Sequence, residues 1–241
     1  MSLKNIVIIL AGTKHPGNIG SAARAMHNMG LSRLVLAAPR CAVNEESARL
    51  AKAGKNILDS AKTFRSLKSA LRGIRFLVGT TGKTGGYRSQ SYAPRILAAR
   101  ILDHAARQKV GILFGPEDTG LVDEDLRFCQ MLIRIPTQHK AKSINLAQAV
   151  MVVCYEILMG SLKREPVRVP KLASLVQIEA MFDQLEKALL DIGFLQPQNA
   201  HHMMLTLRQM LGRASLEPSE VGTLRGIARQ IAWYASSSQH K

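Results

Sequence analysis

Short runs of apolar, β-favouring residues recur at positions 6–11, 34–37, 76–80, 110–114 and 131–135. Between them, residues 21–29, 45–50, 66–71, 96–107 and 123–128 place apolar side chains at helical spacing. Strands that are apolar throughout and alternate with helices predict an α/β fold, with a mostly parallel sheet covered on both faces. Residues 145–159 are apolar almost all the way round, as in a helix buried on every side. At 1.5 Å per residue this helix is about 23 Å long and contains Glu156, so it is short for a membrane span. It lies either under the sheet or partly beneath a second copy of the chain. The segment SLKREPVRVPK (161–171), with two prolines and four basic residues, reads as a linker. Residues 172–192, 200–211 and 217–235 have helical periodicity and no convincing strand. The expected organisation is a sheet domain over 1–160, a linker over 161–171 and a small all-helical unit over 172–241.

Open α/β sheets bind ligands beyond the carboxyl ends of their strands. Those ends lead here into loops 12–20, 79–86, 115–120 and 136–143, which hold many of the chain's Gly, Thr and Ser residues. Neither standard phosphate cradle is present. Gly82-Lys83-Thr84 resembles the end of a P-loop, but the required earlier glycine would fall on Leu77, inside a strand. Gly12, Gly17 and Gly20 miss the spacing of the dinucleotide fingerprint.

Charge narrows the partner. The 241 residues carry a formal charge of +16, and eleven basic residues between Lys62 and Lys109 face a single acid, Asp103. Such a surface attracts a polyanion, and nucleic acid fits better than an acidic membrane or a merely solvated face. Cys41, Cys129 and Cys154 are odd in number and lack metal-ligand spacing, so neither a disulfide framework nor a metal is expected, and a reducing cytoplasm fits. The opening MSLKNIVIIL is too short for a signal peptide, and no apolar run reaches about 18 residues.

Three segments hold the candidate chemistry. In NIGSAARAMHNMG, Asn18 stands where a helix N-cap would, and Arg24 lies about one turn further on, where a cation opposes the helix dipole unless it meets an anion. In ILFGPEDTGL, Gly115 would let a ligand approach the backbone, Glu117 is placed to orient Arg24, and Asp118 suits an ordinary turn. In IPTQHKAKSINLAQAV, Ser143 and Asn145 can cap the following helix or serve a site. His15 and His139 are isolated histidines on basic loops and read as solvated.

Taken in order, these segments resemble the SpoU (TrmH) branch of the SPOUT RNA methyltransferases over residues 4–160. The resemblance rests on Asn-x-Gly-x-x-x-Arg at Asn18, Gly20 and Arg24, on Gly-Pro-Glu at Gly115 to Glu117, and on Ser-x-Asn-Leu at Ser143 to Leu146. It implies a deep trefoil knot at the carboxyl edge of the sheet, S-adenosyl-L-methionine held there, and a homodimer. It implies donor contacts at Thr80, Thr81, Gly82, Gly115, Ile135, Ser143 and Ile144, and a catalytic group of Arg24, Asn18, Glu117, Ser143 and Asn145. A helical tail containing LRQMLGRASLEPSEVGTLRGI is similar to that of members that methylate the 2′-oxygen of nucleotide 32 in tRNA. The alternatives are a ribosomal RNA methyltransferase and a non-catalytic RNA-binding protein on the same fold. Few aromatics (5%) favour recognition of RNA shape over stacking on single-stranded bases.

Overall fold

The computed structural model of the chain describes residues 3–138, 144–162 and 171–238. Seven strands form one sheet: β1 (Ile6–Ala11), β2 (Arg33–Ala37), β3 (Lys62–Phe64), β4 (Phe76–Thr80), β5 (Ser91–Tyr92), β6 (Val110–Phe114) and β7 (Met131–Ile133). Their order is β3-β2-β1-β6-β4-β7-β5, and every pairing is parallel. All six residues of β1 and all five of β6 are buried, which requires cover on both faces. Two edge strands escape the hydrophobic pattern: β3 is a largely exposed Lys-Thr-Phe triplet and β5 has two residues. β7 stops at Ile133, two residues short of the apolar run, because Ile135 turns into a cavity described below.

The helices of this unit are α1 (Pro16–Asn28), α2 (Glu45–Ala51), α3 (Lys55–Asp59), α4 (Leu67–Ala70), α5 (Pro94–Ala105), α6 (Asp123–Leu126) and α7 (Leu146–Ser161). α1 begins five residues before its apolar spacing, with Pro16 in the first turn, where a missing N–H costs nothing. It ends at Gly30 (φ +74°), where Leu31 N–H donates to the Met26 carbonyl at 2.9 Å. Glycines let helical backbones close on one another. A Cβ at Gly20 would stand 2.1 Å from the Ser47 carbonyl oxygen, and one at Gly54 would stand 2.5 Å from that of Ala23. α7 packs against α1 and α5, with Val150, Val153, Cys154 and Ile157 buried, while Tyr155 is exposed. It is therefore amphipathic in the single chain rather than buried all round.

Contacts divide the chain into Met1–Pro170 and Lys171–Lys241. The second unit consists of α8 (Leu175–Asp191), α9 (Ala200–Ala214) and α10 (Pro218–Ser238) around Met181, Phe182, Met204 and Val221. Ser174 and Gln177 form a capping box at the start of α8. Arg208 pairs with Glu179 at 2.6 Å and lies over the Phe182 ring at 4.3 Å. Among the described residues no helix is long and apolar enough to cross a membrane.

One buried titratable group sits in the first unit. His104 of α5 stacks on Phe76 with ring centroids 4.0 Å apart, and Gln108 Nε2 lies 2.9 Å from its Nδ1. Burial, aided by the Arg100 charge, pushes its pKa down to about 4. The unfolded chain binds a proton near 6.5 that the folded chain refuses until about 4, so acid favours unfolding across that window. We predict that stability is fully present above pH 6.5 and falls by on the order of 1–2 kcal/mol toward pH 4 from this group, after allowance for solvent screening. His104→Phe should remove that part of the slope in urea unfolding followed at several pH values.

Candidate active site

Parallel register brings three strand ends to one level. Gly79 pairs with Leu113, and Thr80 with Ile133, so β4, β6 and β7 finish side by side. The chain leaving each of them encloses a cavity of about 520 Å³ together with the start of α7. This is the scale of small-molecule sites, roughly 300–1,000 Å³. Phe114, Leu121, Ile133, Ile135, Ile144 and Leu146 give it apolar walls, and Glu117 and Asp118 are among its polar lining. Thr80, Thr81, Gly82, Gly115, Ile135 and Ile144, expected as donor contacts, all line this one cavity. Ser143, with His139 and Lys142, lies outside the described residues.

The turn after β6 is folded tightly on itself. Gly120 N–H donates to the Pro116 carbonyl at 2.9 Å, and Gly120 has φ +66°. A Cβ at Gly115 would fall 2.3 Å from the Leu121 nitrogen. The glycine expected at 115 for ligand approach is thus already required by the loop's own backbone. Thr80 Oγ1 donates to the Leu113 carbonyl at 3.0 Å, and Thr81 Oγ1 accepts Lys83 N–H at 3.1 Å.

Glu117, Asn18 and Asn145 form a chain of hydrogen bonds with one direction. Asn145 caps α7, its Oδ1 accepting from Ala147 N–H (2.9 Å) and Gln148 N–H (3.4 Å). Its amide NH₂ is left to donate, and it does so to Asn18 Oδ1 at 3.0 Å. Asn18 Nδ2 then donates to Glu117 Oε1 at 2.8 Å. The carboxylate also receives the N–H groups of Lys14 (3.1 Å) and His15 (3.4 Å). Burial by itself would raise the Glu117 carboxyl, but the Asn18 side chain and these backbone donors hold it below the usual carboxylate range. Asn145 therefore caps α7 and ties it to Asn18, while the cavity lining itself takes its neighbours Ile144 and Leu146. Asn18 does not cap: His15 precedes the helix, and Asn18 sits inside its first turn. Lys14 Nζ and Asp118 pair at 2.5 Å, adding a second tie between the two loops.

Arg24 does not join this group within one chain. It stands six residues beyond Asn18, about 9 Å along the helix axis. It is exposed and is not among the cavity's lining residues. Among the described residues it has no hydrogen bond or ion pair that would hold it. The carboxylate expected to orient it, Glu117, is taken by Asn18, Lys14 and His15 instead. Arg24 also lies two turns into α1 rather than one, beyond the reach of the N-terminal dipole. Gly20, between the two in the motif, is a packing residue. Sequence reasoning missed Leu121 and Asp118 as wall residues and Arg88, whose guanidinium reaches Asp123 at 2.7 Å. Their only signal was membership of loops at strand ends. Among the described residues no group of three or more His, Cys, Asp or Glu side chains could hold a metal ion.

Known proteins are similar to this chain in sequence and in fold. The SpoU rRNA methylase family profile matches residues 5–155, and the profile of the tRNA methyltransferase TrmJ C-terminal domain matches residues 176–240. A Pseudomonas aeruginosa protein named tRNA (cytidine/uridine/adenosine-2'-O-)-methyltransferase TrmJ is 36% identical, over 99% of this chain and 98% of the relative. The Pectobacterium atrosepticum tRNA (cytidine/uridine-2'-O-)-methyltransferase TrmJ is 34% identical, over 95% and 97%. The crystal structure of TrmJ from Z. mobilis superposes with a TM-score of 0.80 at 32% identity, covering 93% of this chain and 98% of that one.

The directed hydrogen bonds separate two substitutions at one position. Asn145→Ala removes the cap of α7 and the bond to Asn18, and should cost about 1–2 kcal/mol in urea unfolding. Asn145→Asp keeps the cap but sets a carboxylate against Asn18 Oδ1. Asn18 cannot turn over to meet it without presenting its oxygen to Glu117, so stability should fall by less than for Ala while the link to Asn18 is lost.

Proposed function

The chain belongs to the SpoU methylase family, and we propose that within it the chain methylates the ribose 2′-oxygen of tRNA at nucleotide 32 of the anticodon loop, with S-adenosylmethionine as donor. The reaction class, ribose 2′-O-methylation of RNA, follows from the family and from relatives alike along nearly their whole length. The observation that favours tRNA over ribosomal RNA is the second unit, which matches the TrmJ C-terminal domain and is covered by the same tRNA-modifying relatives. A 2′-hydroxyl substrate makes RNA the polymer. The basic stretch 62–109 supports phosphate contacts that weaken steeply with salt.

The cavity's chemistry fits this donor. Apolar walls at Leu121, Ile133, Ile135 and Leu146 suit a purine ring, Thr80 and Thr81 bring hydroxyls, and Glu117 and Asp118 bring negative charge for a cationic ligand. When bound, S-adenosylmethionine supplies an electrophilic methyl group on a sulfonium. Glu117, fixed through Asn18 and Asn145, holds the loop wall and the start of α7 in one geometry, so much of the rate comes from positioning. Asn145, with Ser143, orients the sugar hydroxyl. Arg24 cannot accept a proton while charged, and acts by gripping the neighbouring phosphate and stabilising negative charge on the attacking oxygen.

Arg24 is exposed and off the cavity of its own chain, which supports a homodimer in which it serves the cavity of the second chain. Half-buried Met151 and Val152 and exposed Tyr155 on α7 are consistent with a covered face. The trefoil knot belongs to the same reading; its expected crossing includes residues 139–143, outside those described.

Bulk tRNA and ribosomal RNA incubated with methyl-labelled donor, followed by mapping, should place the label on the ribose of tRNA nucleotide 32. Label confined to ribosomal RNA would overturn the substrate assignment. Arg24→Ala should lose most methyl transfer and bind the donor as wild type does. Mixed with Ile135→Trp, whose bulk fills the cavity, it should regain roughly a quarter of wild-type activity, the statistical share of intact shared sites. No recovery on mixing would place Arg24 at the cavity of its own chain.

A further inference from the structure

Two loops that wall the cavity from different strands are joined by one side chain that belongs to no motif. Thr81, Gly82 and Lys83 line it after β4, and that loop runs on into the 3₁₀ turn Gly86–Gln90, which carries Arg88. Residues 115–121 line it after β6. Arg88 Nη1 pairs with Asp123 Oδ1 at 2.7 Å, and Nη2 donates to the Leu121 carbonyl at 3.1 Å. Leu121 lines the cavity and Arg88 does not, so the guanidinium grips the wall from behind.

A merely stabilising ion pair would look different. The Arg88 side chain is 14% exposed, and its Nε is buried with no partner among the described residues. An unpaired buried donor costs about 1–3 kcal/mol. Buried ion pairs are often replaceable by apolar side chains without loss of stability. What an apolar side chain could not do is fix the Leu121 carbonyl at a set distance from the 81–90 loop. The loop it grips is closed on itself, since Gly115 packs on the Leu121 nitrogen and Gly120 N–H donates to the Pro116 carbonyl. Holding its far end therefore sets the place of the whole wall, Glu117 included.

We infer that Arg88 is a positioning residue for donor binding: without touching the donor, it holds the 81–90 and 115–123 loops at the separation the cavity needs. This rests on reading the cavity as the donor site. The full-length chain is titrated with S-adenosylmethionine in a calorimeter as wild type, Arg88→Ala, Arg88→Lys and Asp123→Asn. Melting temperatures and separate KM values for donor and tRNA are measured alongside. Arg88→Ala should raise the donor Kd and donor KM at least about tenfold, with the tRNA KM and melting temperature near wild type. Arg88→Lys keeps the charge, but one ammonium cannot reproduce the planar fork, so the Kd should stay roughly fivefold raised in a fully folded protein. Asp123→Asn leaves an acceptor for Nη1 and the Leu121 bond intact, and should change the Kd less than about threefold. Donor Kd within twofold of wild type for folded Arg88→Lys or Arg88→Ala would overturn the inference, as would unfolding of Arg88→Lys or a parallel rise of both KM values with a fall in melting temperature. A wild-type chain with no affinity for S-adenosylmethionine would instead overturn the donor reading of the cavity.

Discussion

The Glu117 carboxylate is the point at which three separate pieces of the first unit are tied together. It sits in the turn after β6, accepts two backbone N–H groups from the segment between β1 and α1, and receives Asn18, through which Asn145 at the head of α7 is held. A charged acceptor surrounded by donors makes stronger hydrogen bonds than neutral groups do. The direction of each bond is forced, because Asn145 spends its oxygen on the helix terminus and Asn18 spends its oxygen on Asn145. Two amides that could otherwise turn over are locked by a helix end on one side and a carboxylate on the other. The cavity wall, the start of α1 and the start of α7 consequently share one geometry.

This hub explains why the three motif segments are spaced far apart in sequence yet act together. Parallel register delivers β4, β6 and β7 to the same level, so every loop at that edge faces the same space. The central strands were legible because strands buried on both faces must be apolar throughout: 6–11, 76–80 and 110–114 fall where their composition places them. β3 and β5 were not, since a largely exposed three-residue edge and a two-residue strand carry no periodicity. The early start of α1 was hidden by Pro16, Gly17 and Asn18, residues that read as loop but occupy a first turn, where Pro is welcome and Asn is free to face a partner.

The candidate site was legible at the level of loops and less so at the level of contacts. Five of the six expected cavity residues lie at or within two residues of a strand end, a topological fact available from the pattern, and Ile144 joins them just ahead of α7. Sequence gives no distances, so the packing duty of two glycines was not legible: a Cβ on Gly20 or Gly115 would strike the protein's own backbone at 2.1 and 2.3 Å, and Gly115 lines the cavity besides. Gly20 serves the close packing of α1 on α2, and Gly115 a turn folded on itself. Arg88 was invisible for the opposite reason: a lone basic residue among eleven in that stretch gives no hint that it meets a carbonyl behind the cavity wall.

Arg24 shows what the hub excludes. A guanidinium close to Glu117 would compete with Asn18 for the carboxylate. Six residues further along α1, it is removed by about 9 Å and turned to solvent. It is there beyond the first turn, where the dipole no longer penalises a cation. An exposed, unpaired guanidinium keeps its full capacity for a phosphate, because no internal carboxylate has to be displaced before it binds. On the reading proposed above, hydrogen-bond donors gather round Glu117 to shape the cavity of one chain, and Arg24, exposed on α1, meets a phosphate that arrives from outside.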